Sequence, residues 1–398
     1  MSDLKPSDLL DLDALLSDEE RQIRDLAREW VHDRILPEVD DWYERGEFPA
    51  RELAKELGEL GFFGMQLPGI GDLGAVAYGL VELELEAGDS GLRSFVSVQS
   101  ALAMYAIHAF GSDEQKAHWL PRMASGDAIG CFGLSEPDSG SDPGSMRTTA
   151  RRDGDDWIVS GTKMWITNGG VSDVAVVWAN TDDGIRGFLV PCDLPGFSAP
   201  DIHRKMSLRA SVTSELVMDD VRLPADAILP GVEGLRGPLS CLNEARYGIV
   251  WGVMGAARSC FETALTYAKE RVQFDRPIAS FQLTQKKLTD MAVELTKGTL
   301  LAYQLGRPDQ LPAGSQPGWW GSVVPAVWSF MLALRARGLG SVWTTMVCRK
   351  EAEVAEVLGV DMAEHCLIGL FPVAYTIGTD FKPAPRVDPA GVVHWNHW

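Results

Sequence analysis

Two stretches in the middle of the chain carry residue types from which a flat ligand with polar edges could be held. The first, CFGLSEPDSGSDPGSM at 131–146, joins a short apolar run to a loop dense in Ser, Gly and Asp. Such a loop brings backbone N–H groups and hydroxyls to close range, which is what a pyrophosphate or a polar ring edge needs. A Ser/Gly loop is also an ordinary turn, so this signal is weak alone. The second, SGTKMWITNG at 160–169, sets Trp165 beside hydroxyl and amide groups. The indole can cover a planar ring while Thr167 hydrogen-bonds its edge, although a core Trp in a β-strand has the same composition.

The chain that must position these residues has 398 of them, enough for two or three domains, with 45% hydrophobic and 23% charged residues as in globular proteins with a real core. A net charge of -20 repels phosphate backbones. Nucleic acid is therefore not an expected partner, and an anionic ligand must be held by local donors. No run of about 18 apolar residues occurs, and the first 25 residues lack the basic and apolar regions of a signal peptide. Membrane insertion is not expected, and the expected compartment is the cytoplasm. Cys131, Cys192, Cys241, Cys260, Cys348 and Cys366 show no CxxC spacing and sit mostly among apolar neighbours, as reduced core residues do. Only His394 and His397 lie close among the histidines, and they read as a surface pair, so no metal is expected.

Three textures succeed one another. Residues 1 to about 128 read as helices: Ser17 and Glu20 form a capping box, followed by Ile23, Leu26, Ala27, Trp30, Val31 and Ile35 at helical spacing. Pro49 reads as a first-turn residue of a further helix with Leu53, Leu57 and Leu60 on one face. From about 129 to 236, short apolar runs punctuated by turns predict a β domain. From about 239 two long helices are predicted, the second striped by Leu288, Met291, Leu295, Thr299 and Ala302 and ended by Pro308. Such a pair needs further helices to cover it. Beyond Pro308 the sequence predicts one comparable helix over Val327 to Arg337, a short one over Glu351 to Leu358 closed by Gly359, and a strand-like CLIGLFPVAY.

Six motifs in one register resemble the acyl-CoA dehydrogenase family, and most closely its glutaryl-CoA branch: SGLRSFVSVQS, CFGLSEPDSGSDP, KMWITN, KMSLRAS, CLNEARYGIVWGVMGAA and RVQFDRPIASFQLTQKKLTDM. The resemblance spans residues 10 to 306. It implies that Phe132, Leu134, Ser135, Gly140 and Ser141 line the isoalloxazine and pyrophosphate of FAD, with Trp165, Ile166 and Thr167 across the ring. Arg271, Phe274 and Gln282 match a segment that reaches the FAD of a neighbouring subunit, implying a homo-oligomer, a tetramer in the family. Asp275 stands where the family usually has Gly. Arg93 and Ser97, with Glu86 beside them, match the positions that bind the distal carboxylate of glutaryl-CoA. A guanidinium suits that role by its two-pronged grip; a lone helical Arg is otherwise usually part of an ion pair. Ser141, Leu242, Asn243 and Arg246 match contacts to the acyl-CoA thioester end. The implied reaction takes a proton from the carbon next to the thioester and passes a hydride from the next carbon to flavin N5. Loss of CO2 then gives crotonyl-CoA, and electrons leave through an electron-transferring flavoprotein.

This chemistry needs a general base at the substrate's α-carbon. The glutaryl branch supplies a Glu in a Tyr-Glu-Gly-Thr loop near the C-terminus, and no such sequence occurs here. After Gly306 the Glu residues are Glu351, Glu353, Glu356 and Glu364, none followed by Gly-Thr. Some relatives place the base just before the Arg matching Arg246, a position held here by Ala245. Glu244 is one residue away, about 100° around a helix.

The last ninety residues resemble instead the C-terminal part of a nitroreductase, an FMN-dependent NAD(P)H oxidoreductase. The carriers are PAVWSFMLALRARGLGSVWTT, AEVLGV, LIGLFPVAYTIGTDFKPAPR and VVHWNHW. Gly338 and Gly340 match its flavin-side turn and Arg386 its phosphate cation. The change of subject near Gly306 to Gln310 is read as a seam between two truncated flavoprotein sequences. The fold expected is α+β and multidomain: an N-terminal helical domain at 1–128, a middle β domain at 129–237, a truncated helical domain at 238–307 and a nitroreductase-like fragment at 308–398. FAD is the expected cofactor, with FMN possible only through the fragment. An FMN-dependent nitroreductase-like protein and a non-catalytic flavin- or acyl-CoA-binding protein are the alternatives.

Overall fold

The computed structural model describes residues 11–307, 339–341, 351–359 and 373–375. The chain divides into two compact units, residues 1–306 and 307–398. Among the described residues of the first unit, seven α-helices precede a seven-stranded sheet, and two long helices come after it.

The opening helix α1 (Asp18–Trp30) starts at the capping box: Glu20 N–H donates to Ser17 Oγ at 3.2 Å and Ser17 N–H to Glu20 Oε2 at 2.8 Å. Ala27, Val31 and Ile35 are buried as the spacing predicts. Leu26 is 43% exposed, because it sits one residue, and so about 100°, from Ala27 on the helix. After α2 (Val39–Arg45) comes α3 (Ala50–Glu59), where Pro49 is the N-cap residue and not the first helical one. In α4 (Ala75–Gly88) every residue from Val76 to Glu86 is buried. It is wrapped by α1, by α5 (Ser90–Ser97) and by α8 (Arg236–Glu270). Close approach to α8 depends on glycine: a Cβ at Gly255 would collide with the Leu83 carbonyl oxygen. From α5 the chain runs through a widened turn, Val98–Met104, into α6 (Tyr105–Phe110) and α7 (Asp113–Ala124).

The sheet contains β1 (Gly130–Gly133), β2 (Thr149–Asp153), β3 (Asp156–Thr167), β4 (Val174–Thr181), β5 (Gly184–Pro191), β6 (Phe197–Ser198) and β7 (Thr213–Leu223). Their order is β1-β4-β2-β3-β7-β6, with β5 also on β4. β1 lies parallel to β4, Phe132 opposite Val176, and β3 runs antiparallel to β7. One face packs on the helices through Phe132, Trp178 and Leu189, while Val159, Phe188 and Val221 fill the other.

The β region ends earlier than its texture predicts, since the last strand stops at Leu223 and α8 begins at Arg236. A hairpin of β8 (Val272–Gln273) and β9 (Arg276–Pro277) links α8 to α9 (Gln282–Leu305). Phe274 and Asp275 both have positive φ, 54° and 60°. Both residues of a tight two-residue hairpin turn therefore take the left-handed conformation, which Gly accepts most easily and Asp tolerates. α9 stops at Leu305, before Pro308, which lies outside the described residues. Leu295 and Ala302 of the expected stripe are buried and Leu288, Met291 and Thr299 half-buried. The opposite side stays open, with Leu283 79% and Leu301 61% exposed.

In the second unit, β10 (Leu339–Ser341) pairs antiparallel with β11 (Val373–Tyr375), and α10 (Glu351–Leu358) is followed by Gly359 at φ 67°. Gly340 is a strand residue opposite Ala374, so its expected place in a turn is corrected. Gly338, Arg386, the helix expected at 327–337, Glu364, His394, His397, Cys348 and Cys366 lie outside the described residues. Of the other cysteines, Cys131 and Cys241 are buried, Cys192 is half-buried and Cys260 is exposed, which corrects the expectation of a core residue there. No helix among the described residues is long and apolar enough to cross a membrane. None of their His, Cys, Asp and Glu side chains cluster in a group able to hold a metal ion.

Candidate functional site

The Ser/Gly loop and the Trp165 segment meet across one cavity of about 360 Å³. The loop after β1 contributes Phe132, Leu134, Ser135, Gly140, Ser141 and Pro143, and the end of β3 contributes Trp165, Ile166 and Thr167. Val98 and Leu102 close one side, and Leu239, Leu242 and Arg246 of α8 complete the wall. Sequence separation is bridged here by two local devices.

The first device is a bulge. β3 loses register with β7 between Lys163 and Ile166, and Trp165 takes a positive φ of 64°. A bulky residue rarely adopts that conformation, and a bulge beside a site re-aims a side chain. Trp165 is accordingly 59% exposed while Ile166 is buried. Met164 N–H donates to Ser135 O at 2.8 Å, tying the bulge to the loop it faces.

The second device is a buried ion pair that sequence reasoning did not assign. Lys163 Nζ donates to Glu136 Oε1 at 2.8 Å and to Leu134 O at 3.1 Å. Glu136 also accepts from Arg147 N–H at 2.6 Å and Thr148 N–H at 3.0 Å, closing the loop into a ring. Burial pushes the Glu136 carboxyl up, but the Arg147 N–H and Lys163 outweigh it and hold it below its ordinary range. Burial lowers the Lys163 ammonium despite its partner. An inward lysine in an otherwise apolar strand pattern was the signal available. Lys163→Met is expected to lower stability by about 3–5 kcal/mol, since it strands a buried carboxylate. The urea midpoint checks this; an unchanged midpoint would mean that Glu136 is satisfied without Lys163.

The predicted substrate residues fall into two places. Ser141, Leu242 and Arg246 line the cavity. Asn243 does not line it: its Oδ1 accepts from Arg246 Nη1 at 3.0 Å, and both residues are exposed. Glu86, Arg93 and Ser97 form a separate buried cluster between α4, α5 and α8, with Arg93 Nε donating to Glu86 Oε2 at 2.7 Å. Ser90 Oγ donates to the other Glu86 oxygen at 3.0 Å. Arg93 is thus in an ion pair, yet it is only 12% exposed and not a surface residue.

Arg271, Phe274 and Gln282 do not join the cavity of their own chain; Arg271 and Phe274 are exposed, Phe274 at 87%, and Gln282 is half-buried at the start of α9. Ala245 is buried at 8% exposure. Glu244 is half-buried on α8, where burial raises its carboxyl and Tyr105 lies nearby, and it does not line the cavity.

Comparison with known proteins accounts for this arrangement. Residues 17–127 match the acyl-CoA dehydrogenase N-terminal domain, 131–221 its middle domain and 233–317 its C-terminal domain. Residues 303–375 match the nitroreductase family, so the two matches overlap where α9 ends. A short-chain specific acyl-CoA dehydrogenase of Bos taurus is 37% identical over 300 residues, 73% of this chain and 72% of the relative. The crystal structure of a glutaryl-CoA dehydrogenase from Mycobacterium smegmatis is 68% identical, covering 76% of this chain and 79% of its own, with a TM-score of 0.75. A second glutaryl-CoA dehydrogenase structure from that organism, in complex with FADH2, is 57% identical and covers 83% of this chain and 87% of its own at a TM-score of 0.76. From the capping box of α1 to the end of α9, around a cavity shared by the sheet and α8, the chain belongs to the acyl-CoA dehydrogenase family.

Proposed function

We propose that the chain is an FAD-binding acyl-CoA dehydrogenase whose substrate is glutaryl-CoA, with proton abstraction handicapped by the missing base. The observation that carries this is the meeting of Phe132, Leu134, Ser135, Gly140 and Ser141 with Trp165, Ile166 and Thr167 across one cavity. These residues fit FAD: an exposed indole stands at one side, hydroxyls line the loop, and the Cα of Gly140 faces open space in which a pyrophosphate can approach the backbone. When bound, FAD supplies the hydride acceptor.

The chain's own residues hold and orient. Trp165 covers the ring and Thr167 bonds its edge, while Arg246 supplies a cation where the acyl-CoA thioester end enters. Arg93 and Ser97, with Glu86, receive the distal carboxylate, and loss of CO2 from the oxidised product gives crotonyl-CoA. Arg271, Phe274 and Gln282 serve a neighbouring copy, which makes the working form a homo-oligomer and explains why these residues stand apart from their own cavity. Electrons pass to an electron-transferring flavoprotein. The domains proposed are 1–128, 129–237 and 238–307, followed by the nitroreductase-like 308–398.

Absorbance of the flavin tests this. Bleaching by glutaryl-CoA supports the proposal, while bleaching by NAD(P)H supports the nitroreductase-like, FMN-using alternative that residues 303–375 suggest. Tight acyl-CoA binding without bleaching supports a non-catalytic binding protein, which Ala245 at a family base position favours. Arg93→Ala is expected to weaken glutaryl-CoA about tenfold or more while leaving butyryl-CoA nearly unchanged. Equal loss for both ligands would remove the case for a dicarboxylic acyl chain.

A further inference from the structure

α4 carries Tyr78, Glu82 and Glu86 at four-residue intervals, so these side chains stand in a row on one helix face. The row is pressed against glycines of α8. A Cβ at Gly248 would lie 3.0 Å from the Tyr78 hydroxyl and 3.4 Å from Glu82 Cδ. One at Gly252 would collide with Glu86 Oε2 and lie 3.3 Å from Arg93 Cδ. Side chains on that edge of α8 would displace the acids, so the glycines keep room for them.

The charges in this row do not balance. Arg93 bonds Glu86 at 2.7 Å. Glu82 is 0% exposed, and neither of its carboxyl oxygens has a hydrogen-bond partner among the described residues. The groups facing it are Tyr78 and Glu86 on α4 and Arg93 on α5. From α8 it meets Gly248, which brings no charge. A carboxylate buried without a partner is far more costly than the neutral acid. Burial raises Glu82 to about 8 in spite of Arg93 and Tyr78. A neutral carboxyl is a hydrogen-bond donor, and a buried one of this kind can serve an anionic oxygen.

We infer that Glu82 determines specificity at the far end of the acyl site: its O–H, held beside Arg93, donates to a terminal carboxylate on the acyl chain, an inference that rests on the glutaryl-CoA reading above. The ligand carboxylate then lies between a guanidinium and a neutral acid. A chain ending in methyl leaves both donors unpaired, and sites built to hydrogen-bond a group reject analogues lacking it. Above pH 8 the same residue becomes a third negative charge beside Glu86 and the ligand, so discrimination falls.

The test is the ratio of dissociation constants for butyryl-CoA and glutaryl-CoA with the purified full chain, from about pH 6.5 to 9.5, a range that brackets the raised Glu82 carboxyl. Taking the ratio cancels the titration of the shared CoA moiety. For the wild type the preference for glutaryl-CoA is expected to fall about tenfold between about pH 7 and 9.5. Glu82→Gln, nearly isosteric and with an amide donor that does not titrate, is expected to keep the preference at every pH. Glu82→Leu is expected to lose about tenfold at about pH 7 and to show no pH dependence. A wild-type preference that is independent of pH and unchanged in Glu82→Leu overturns the role of Glu82 while leaving the glutaryl-CoA reading intact. A wild type without preference at any pH overturns both.

Discussion

Ala245→Glu is expected to raise the rate of flavin bleaching by glutaryl-CoA about 100-fold or more, the range that a positioned general base supplies. The reason lies in helix geometry. Leu239, Leu242 and Arg246 line the cavity from α8, and at 3.6 residues per turn they fall within a sector of about 60°. Position 245 borders that sector, next to Leu242. Position 244 points about 180° away from its centre, which agrees with the half-buried Glu244 lying near Tyr105 and outside the cavity wall. A carboxylate at 245 therefore faces the acyl-CoA site, whereas Glu244→Gln is expected to leave bleaching unchanged. Ala245→Gln controls for size, since overpacking a buried position costs about 1–3 kcal/mol whatever the charge. A folded, flavin-loaded Ala245→Glu protein that bleaches no faster than Ala245→Gln would show that proton abstraction is not what limits this chain.

Glu84→Gln is expected to lower stability by about 3–5 kcal/mol at about pH 7. Glu84 is 1% exposed on α4 and holds two arginines from different helices. Arg258 of α8 donates at 2.7 and 2.5 Å, and Arg28 of α1 at 2.8 and 3.2 Å. Removing the charge leaves Arg258, 16% exposed, without its counter-ion, while Arg28, 39% exposed, recovers part of its hydration. The pH dependence has a definite sign. Burial alone would raise Glu84, but Arg258 and Arg28 outweigh it and hold the carboxyl below its ordinary value of 4.5. A depressed carboxyl stabilises the fold above its unfolded value, and that contribution is lost as pH falls through the folded value. Urea midpoints should thus diverge most between wild type and Glu84→Gln near neutral pH and converge well below pH 4.5. A gap that persists undiminished in acid would mean that the loss comes from packing and not from charge.

Much of this site was legible because its carriers are local. The capping box at Ser17, the hydroxyl-rich loop at 131–146 and the Trp165 segment are short motifs whose physics needs no distant partner. Their meeting across one cavity is long-range, and the resemblance supplied it. Composition could not reveal the bulge that turns Trp165 outward, since nothing in KMWITN marks the backbone as left-handed. The same limit hid Lys163 with Glu136, 27 residues apart in sequence, and the buried acids of α4. VELELE has the pattern of a helix with one charged, solvated face, and only the wrapping by α1, α5 and α8 turns that face inward. Leu26 failed for the opposite reason, as an apolar residue at helical spacing that the neighbouring helices leave uncovered. The change of texture at Gly306 was visible in sequence and coincides with the division between the two units.

The first measurement to make is the identity and amount of flavin released from the purified full chain. FAD near one per chain is expected, because the cavity built by Phe132, Ser141 and Trp165 lies wholly within residues 1–306. FMN in its place, or no flavin of either kind, would contradict the claim that this cavity is a working acyl-CoA dehydrogenase cofactor site.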